Sequence, residues 1–516
     1  MASDHVPQRE IARLIRLAGG VVLLAGAFVP GLAGAAGAQP IHRAATCSST
    51  SPSDFNGDGF TDVAVGDPGA SVGAAAQAGV VHVRYGVAGK TGGGEDTTVT
   101  QADTGETAEA GDRFGSVLAV GYVDGDGCAD LVVGVPDEDV GSAADAGVVQ
   151  VIYGSPDGLG RGEPSRVIRP GADGVPGTAA ASDRFGAAVD VSGPGFVAHA
   201  MVVGAPGRDI GTATDAGQVT YVPFVSGHPG TAAAISQDSP GVAGTAESGD
   251  HFGAAVALSG VKGTDTGIAV GAPDEDIGTD QDAGSVTAIP DPADATMTSY
   301  AYDQDSAGFS GAVEPGDRFG ASLSSAFPST DGPLLAIGVP GEDIGTIADA
   351  GMVHVLLTKA FTEVAALSQD TPEVLDQAEA GDRFGAVVTL GREQAFARLL
   401  VGIPGEDHGS VVDSGAVQEF SVGDPTENAF VEQETFGGVS EPGDHFGAAV
   451  AYAGSRYLPT MIIGVPDDRT EPAGVVYTAP SKVDGDVDPP PPTDPQQKWT
   501  ATDGTGYGAA IGATVS

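Results

Sequence analysis

Asp112–Gly154 reads DRFGSVLAVGYVDGDGCADLVVGVPDEDVGSAADAGVVQVIYG, and its parts return in the same order down the chain. The opening tetrapeptide, DRFG or DHFG, begins at Asp112, Asp183, Asp250, Asp317, Asp382 and Asp444, at spacings of 71, 67, 67, 65 and 62 residues. A short apolar run ending in Gly-X-Pro follows each copy and also occurs once before the first. Its glycines are Gly66, Gly134, Gly204, Gly271, Gly338, Gly402 and Gly464. The chain therefore holds seven units, the first without its front end. Self-similarity at a fixed period outranks local signals in reading a fold.

Each unit reads as four strands. In the second they are Phe114–Val120, Leu131–Gly134, Val148–Tyr153 and Arg166–Arg169. Alternation is blurred in the first two, as expected of strands covered on both faces. Gly115 and Ser116, beside Phe114, let neighbouring sheets approach closely. Four-stranded sheets repeated radially make a propeller, in which every sheet buries its faces against two neighbours. A linear stack would leave two apolar end faces, and no atypical capping unit is evident.

A closure device takes the place of caps. The first unit opens at its second strand, Thr61–Gly66. The far end of the chain, Gly506–Ala513 (GYGAAIGA), resembles Asp250–Ala257 (DHFGAAVA). The C-terminal segment is thus expected to be the innermost strand of blade one, with residues 498–502 as the outer strand of blade seven. The acidic, Pro-rich run 484–495 then becomes a surface connection inside blade seven. The predicted fold is all-β: a seven-bladed propeller of four-stranded antiparallel blades, spanning 54–516 and closed by the C-terminal strand.

The recurrent Phe-Gly and Gly-Ala-Pro pair, with an Asp/Asn-rich loop between, resembles FG-GAP repeats. These build the seven-bladed N-terminal propeller of integrin α subunits and occur in secreted bacterial proteins of that kind. The resemblance covers the chain from about residue 54 to 516 and speaks to fold more than to function, because one fold hosts many activities.

Residues 1–38 read as a secretion signal, with Arg9, Arg13 and Arg16 as the positive region, Leu17–Val29 as the apolar region and a cut after Ala38. No twin-arginine pair is present, which favours the general secretory route. Residues 39–53 form an N-terminal extension. The mature chain is expected outside the cell as a monomer without a membrane span. There, the only cysteines, Cys47 and Cys128, suggest one disulfide. Seventy acidic against 22 basic residues give a formal charge of −48. That field repels nucleic acid and anionic membranes and favours cations or basic partners.

The acidic loop Asp54-Phe55-Asn56-Gly57-Asp58-Gly59-Phe60-Thr61-Asp62 places oxygen ligands at alternate positions, glycines at the turn and a final carboxylate. Asp54, Asn56, Asp58, the Phe60 carbonyl and Asp62, with water, suit the six to eight oxygens of calcium. The spacing matches the nine-residue calcium loop of integrin-like blades. In the second loop Tyr122 stands at the first ligand position, leaving Asp124, Asp126, the Cys128 carbonyl and Asp130 as a weaker calcium set. The later units lack the pattern, as at Ser192-Gly193-Pro194-Gly195.

A further acidic constellation recurs after Gly-X-Pro: Glu138, Asp139 and Asp145, then Arg208-Asp209 with Asp215, Glu275-Asp276 with Asp282, Glu342-Asp343 with Asp349, and Glu406-Asp407 with Asp413. Because it is periodic it reads as turn capping by Asp rather than as a binding site. Blades one and seven break it, at Ala70-Ser71-Val72 and Asp467-Asp468-Arg469-Thr470. Arg161-Gly162-Glu163 resembles an adhesion tripeptide by chance. Enzyme chemistry has little support: His82, His199, His228, His354 and His408 are scattered, and no catalytic residue is assigned. The reading is a secreted calcium-binding adhesion module for a protein or glycan. The alternative is a hydrolase or lyase with a site at the central channel.

Overall fold

In the computed structural model, which describes residue 47 and residues 51–516 apart from 194–197, 261–266, 295–296, 328–331, 394–395, 456–457, 472, 482–495, 502–505 and 514–516, every repeat folds into an antiparallel sheet. Blade two runs from the inside outward as Val117–Gly121, Asp130–Val135, Val148–Ile152 and Arg166–Ile168. Its inner strand begins three residues later than Phe114, because Arg113 and Gly115 take φ of 56° and 92° and turn the chain beneath the neighbouring blade. The innermost strands of the next five blades are Ala188–Val191, Ala255–Leu258, Ser322–Ala326, Val387–Glu393 and Ala449–Ser455.

Blade one is completed from the far end of the chain. Ala510–Gly512 pairs with Val63–Asp67, matching Ala64 with Gly512, Val65 with Ile511 and Gly66 with Ala510. Val80–Arg84 and Asp96–Val99 complete that sheet. Each innermost strand contacts the next around the ring, and Ala510–Gly512 touches both the blade-seven and blade-two strands. Seven blades close on themselves with no free flank. In blade seven, Val475–Pro480 pairs with Gln497–Thr500, one residue earlier than the expected start of the outer strand. The acidic Pro-rich run lies between them in sequence and, like residues 1–38 expected as a secretion signal, falls outside the described residues.

Second strands are buried along their whole length, for example Asp130–Val135, Ala200–Ala205 and Leu334–Val339. Both of their faces meet another sheet, so apolar residues follow one another without alternation. Outer strands meet solvent on one side, and Asp96–Val99 alternates exposed with half-buried. The core is thus the set of inter-blade layers. One joins Val81 and Val83 of blade one to Leu131, Val133 and Val135 of blade two. The aromatic ring of every tetrapeptide is buried in such a layer: Phe114, Phe185, Phe252, Phe319, Phe384 and Phe446, with Tyr507 in the last place. Burial of each ring contributes about 1.5–3 kcal/mol.

The backbone explains the glycines. At every seam the Gly-X-Pro glycine faces the carbonyl oxygen of the Phe-Gly glycine in the following blade. A Cβ on Gly66 would stand 2.1 Å from Gly115 O, one on Gly204 2.0 Å from Gly253 O, and one on Gly464 2.0 Å from Gly508 O. A second contact staples the same blades. Phe114 N donates to Ala78 O at 2.9 Å and Arg113 N to Gln77 O at 3.0 Å, and the pattern recurs to Tyr507 N with Ala473 O at 2.8 Å.

The recurrent acidic loops are scaffolding. Asp139 accepts a hydrogen bond from the Asp145 amide at 3.0 Å, and Asp209, Asp276, Asp343 and Asp407 repeat it. The tetrapeptide aspartates cap their own turns: Asp112 accepts from Glu109 N at 2.5 Å and Asp250 from Glu247 N at 2.6 Å. At five seams a glutamine of one blade reaches the buried acid of the next: Gln101 to Glu138, Gln237 to Glu275, Gln304 to Glu342, Gln369 to Glu406 and Gln433 to Asp468. Burial, with neighbouring acids adding to it, pushes Glu138 and Glu275 up to about 7, Asp317 and Asp382 also to about 7, and Glu406 to about 9.

These seams carry two predictions. Deleting residues 503–516 removes the closing strand and should abolish cooperative melting, and Gly464→Ala should destabilise by more than about 4 kcal/mol; a truncated chain that melts like the intact one would refute the closure. The buried carboxyls hold their protons more tightly in the folded chain than their ordinary values near 4.5 allow in the unfolded one. Their stabilising contribution is therefore complete below about pH 4.5 and declines as pH rises through about 7, on the order of 3 kcal/mol for a carboxyl moved that far. Thermal melts from pH 5 to pH 8 should show falling stability, with a shallower slope in the Glu138→Gln, Glu275→Gln, Glu406→Gln triple variant.

Candidate metal centre

The first acidic loop is wound by its own side chains. Asp54 Oδ1 accepts from Asn56 N at 3.3 Å and Asp58 N at 3.1 Å, and its Oδ2 accepts from Gly59 N at 2.6 Å. Asn56 Oδ1 accepts from Asp58 N at 3.0 Å, and Asp58 Oδ1 from Phe60 N at 2.9 Å. Gly57 and Gly59 take φ of 69° and 91°, which residues with a side chain rarely adopt. Asp62 clasps the ends: its Oδ2 accepts from Phe55 N at 2.8 Å, its Oδ1 from Gly86 N at 2.7 Å, and its own amide donates to Ser53 O.

Burial first, and then the charges of Asp54 and Asp58, hold the Asp62 carboxyl well above its usual range. Asp54, Asn56 and Asp62 are fully buried. Crowded buried oxygens of this hard type fit calcium. The fit is looser than the spacing alone implies. Among the described residues, three side-chain ligand atoms fall within 4.8 Å of one another at Cys47, Asp126 and Cys128 and at His408, Glu432 and Glu434, not at the three aspartates of this loop.

The second loop repeats the clasp. Asp130 accepts from Val123 N at 2.7 Å and Gly154 N at 3.0 Å, and burial raises its carboxyl well above the usual range. Asp124 and Asp126 cap the amides of Asp126 and Cys128. Tyr122, where the first ligand would stand, donates its hydroxyl to Ser51 O at 3.0 Å. The side chain thus ties the loop to the N-terminal segment.

The two loops form one unit. Cys47 and Cys128 are disulfide-bonded, with Cα atoms 4.9 Å apart. The sulfurs beside Asp126 are therefore bonded to each other and not a metal site. Ala129 N donates to Asp54 O and Ser155 N to Phe55 O. Gly57 and Gly127 close on the Cys47 backbone, where added β-carbons would come within 3.0 and 2.9 Å.

Two groupings carry no repeat signal. His408 pairs with Glu432 beside Glu434 on blade six, and burial of Glu434 is offset by its bonds from Ser440. His228, on a hairpin of blade three, meets Arg166 of blade two at 2.6 Å. Both join residues distant in sequence, at positions where the other blades carry different residue types.

The family model of the FG-GAP repeat matches residues 48–83 and 114–152, the stretches that hold both loops. No curated protein matches the chain. Two solved structures resemble it in shape. Sqt1 of Saccharomyces cerevisiae is 10% identical, with 75% of this chain and 76% of that one covered at a TM-score of 0.38. The NanB sialidase of Streptococcus pneumoniae is 7% identical, with 82% and 86% covered at 0.37. The chain is a seven-bladed β-propeller that carries FG-GAP repeats, matched in blades one and two.

Proposed function

We propose that this chain is a secreted, calcium-binding propeller that serves as a binding and adhesion module for a protein or glycan. The observation that supports it best is the fused pair of acidic loops. Asp54, Asn56, Asp58, the Phe60 carbonyl and Asp62 supply hard oxygen donors around one short loop, and the ionised form of Asp62 is disfavoured first by burial and then by the repulsion of Asp54 and Asp58. Calcium would offset that repulsion and stiffen the loop. Asp124, Asp126, the Cys128 carbonyl and Asp130 would hold a second ion more weakly, because Tyr122 brings a phenol where the first loop has a carboxylate. Affinity should lie in the weak extracellular range, roughly 10⁻⁴–10⁻³ M.

An extracellular setting agrees with the disulfide and with the leader-like residues 1–38. Among the described residues no helix is long and apolar enough to cross a membrane. A hydrolase or lyase site at the central channel has less to support it. On the innermost strand of blade three, Asp190 is held by two amides, Val191 N at 2.8 Å and Leu258 N at 2.7 Å, as a strut between blades three and four.

Calcium should raise the melting temperature in a concentration-dependent way, by about 2.7 kcal/mol of stability at a hundredfold excess over the dissociation constant. Asp58→Ala should remove most of that gain, and an unchanged response would count against the first loop. Protein and glycan arrays probed with the purified mature chain test the binding role directly; a chain that captures nothing would contradict it.

A further inference from the structure

The rim between blades two and three departs from the repeat. In blade three the third strand, Gln218–Val225, runs to 8 residues, where its counterpart in blade four, Ser285–Ile289, has 5. It turns back through Ser226 and Gly227, at φ of 52° and 77°, and pairs Val225 with His228 and Phe224 with Pro229. Two positive φ values in a two-residue turn are those of the tight hairpins that match strand twist. The hairpin leans on blade two. Tyr153 Oη donates to Gly227 O at 3.0 Å, and a β-carbon on Gly227 would stand 2.8 Å from Asp124 Cβ.

This packing carries His228 to Arg166 on the outer strand of blade two. Arg166 Nη2 and His228 Nδ1 lie 2.6 Å apart. A guanidinium can only donate, so Nδ1 accepts and Nε2 bears the ring proton as a further donor. Beside the pair opens a cavity of about 530 Å³, lined by Arg166, Asp173, His228, Pro229 and Thr231 together with two glycines. That volume is in the range of small-molecule sites. In a chain with 22 basic residues against 70 acidic ones, this cleft sets an arginine and a histidine beside a single acid, Asp173.

We propose that this cleft binds an acidic sugar. The guanidinium plane matches a carboxylate in two-point fashion. Asp173, Thr231 and the His228 Nε2 proton suit ring hydroxyls, and Pro229 offers an apolar surface to the ring. Asp173 in the same cleft opposes a compact, doubly charged anion such as phosphate, while it accepts bonds from hydroxyls. The net charge repels anions at long range, but that repulsion is screened beyond about 8 Å at physiological ionic strength, so the local pair governs binding. This inference rests on the reading of the chain as a glycan-binding module and names the site and the ligand class.

Isothermal titration of the full mature chain in calcium-containing buffer tests it, with a glucuronate-containing disaccharide and its neutral methyl ester as probes. The acid should bind at least tenfold more tightly than the ester. Arg166→Ala should abolish the binding, and His228→Ala should weaken it several-fold in a variant that alters only the exposed hairpin. Equal affinity for acid and ester, undiminished binding by both variants, or no binding of the acid by the unaltered chain would overturn the proposal. Array ligands that both variants still capture would leave the module reading standing and remove this cleft from it. An unaltered chain that captures nothing on the arrays would remove both.

Discussion

The carbonyl oxygen of each Phe-Gly glycine rests against the α-carbon of the Gly-X-Pro glycine in the preceding blade. The contact recurs at all seven seams, and at each of them a β-carbon would meet that oxygen at 2.0–2.2 Å. No rotamer change relieves a clash between backbone atoms, so both halves of the repeat signature follow from one approach. The Phe-Gly glycine is held from its other side as well: Gly253 N donates to Gly271 O at 2.8 Å within blade four, and Gly508 N to Gly66 O at 2.9 Å within blade one. Sheets pinned this closely bury a continuous apolar layer at each seam, which supplies the stabilisation that the sparse aromatic content alone does not. Gly508 shows that the constraint extends to the ring closure, because the tail reproduces the contact with Gly464 even though Tyr507 takes the place of phenylalanine.

The acid groups around this frame are best understood by what replaces them. At the seam between blades two and three, Arg208 stands where other blades carry glutamate and donates to Asp183 at 2.7 Å and to Thr178 O at 2.8 Å. The glutamine that reaches the glutamate elsewhere is Pro170 there. Both members of the pair change together, from a hydrogen-bonded acid to an ion pair. At the closing seam Ala70 takes the glutamate position. A function shared by every blade would not survive such exchanges, whereas a packing role does. The many carboxyls therefore add little information about ligands, in line with their periodicity.

Period, blade count and the pairing of the two chain ends were legible because they rest on repetition, which needs no knowledge of contacts. The disulfide was legible from the cysteines themselves: the only two lie beside the first acidic loop and inside the corresponding loop of the next unit. Strand limits were less so. Phe114–Ser116 has the composition of a strand, but the left-handed backbone at Arg113 and Gly115 moves it into the inter-blade turn, and a non-glycine residue at positive φ leaves no mark in sequence. Asp62 and Asp130 read as terminal metal ligands, yet each also fastens its loop to the next turn through two backbone amides. The Arg166–His228 contact was hidden altogether. It spans 62 residues and depends on how far the third strand of blade three extends before it turns back.

Several departures from periodicity share one face. Strands within a blade are antiparallel, so the loops joining first to second and third to fourth strands emerge on one face, while the Gly-X-Pro turns and the tetrapeptides emerge on the other. Both acidic loops, the disulfide and the blade-three hairpin belong to the first face and to blades one to three. They are also physically continuous. Cys47 lies between the two loops, the second loop touches the hairpin where Asp124 meets Gly227, and the hairpin carries His228. The opposite face is occupied chiefly with holding seams together, through the repeated glutamine–acid pairs and the Arg208 ion pair. A ring of near-identical wedges gains individuality where loops differ, and these loops of blades one to three form one connected patch. Because Asp124 belongs to the weaker of the two oxygen sets, any ion held there would bear on the hairpin directly, through a contact between one glycine and one aspartate.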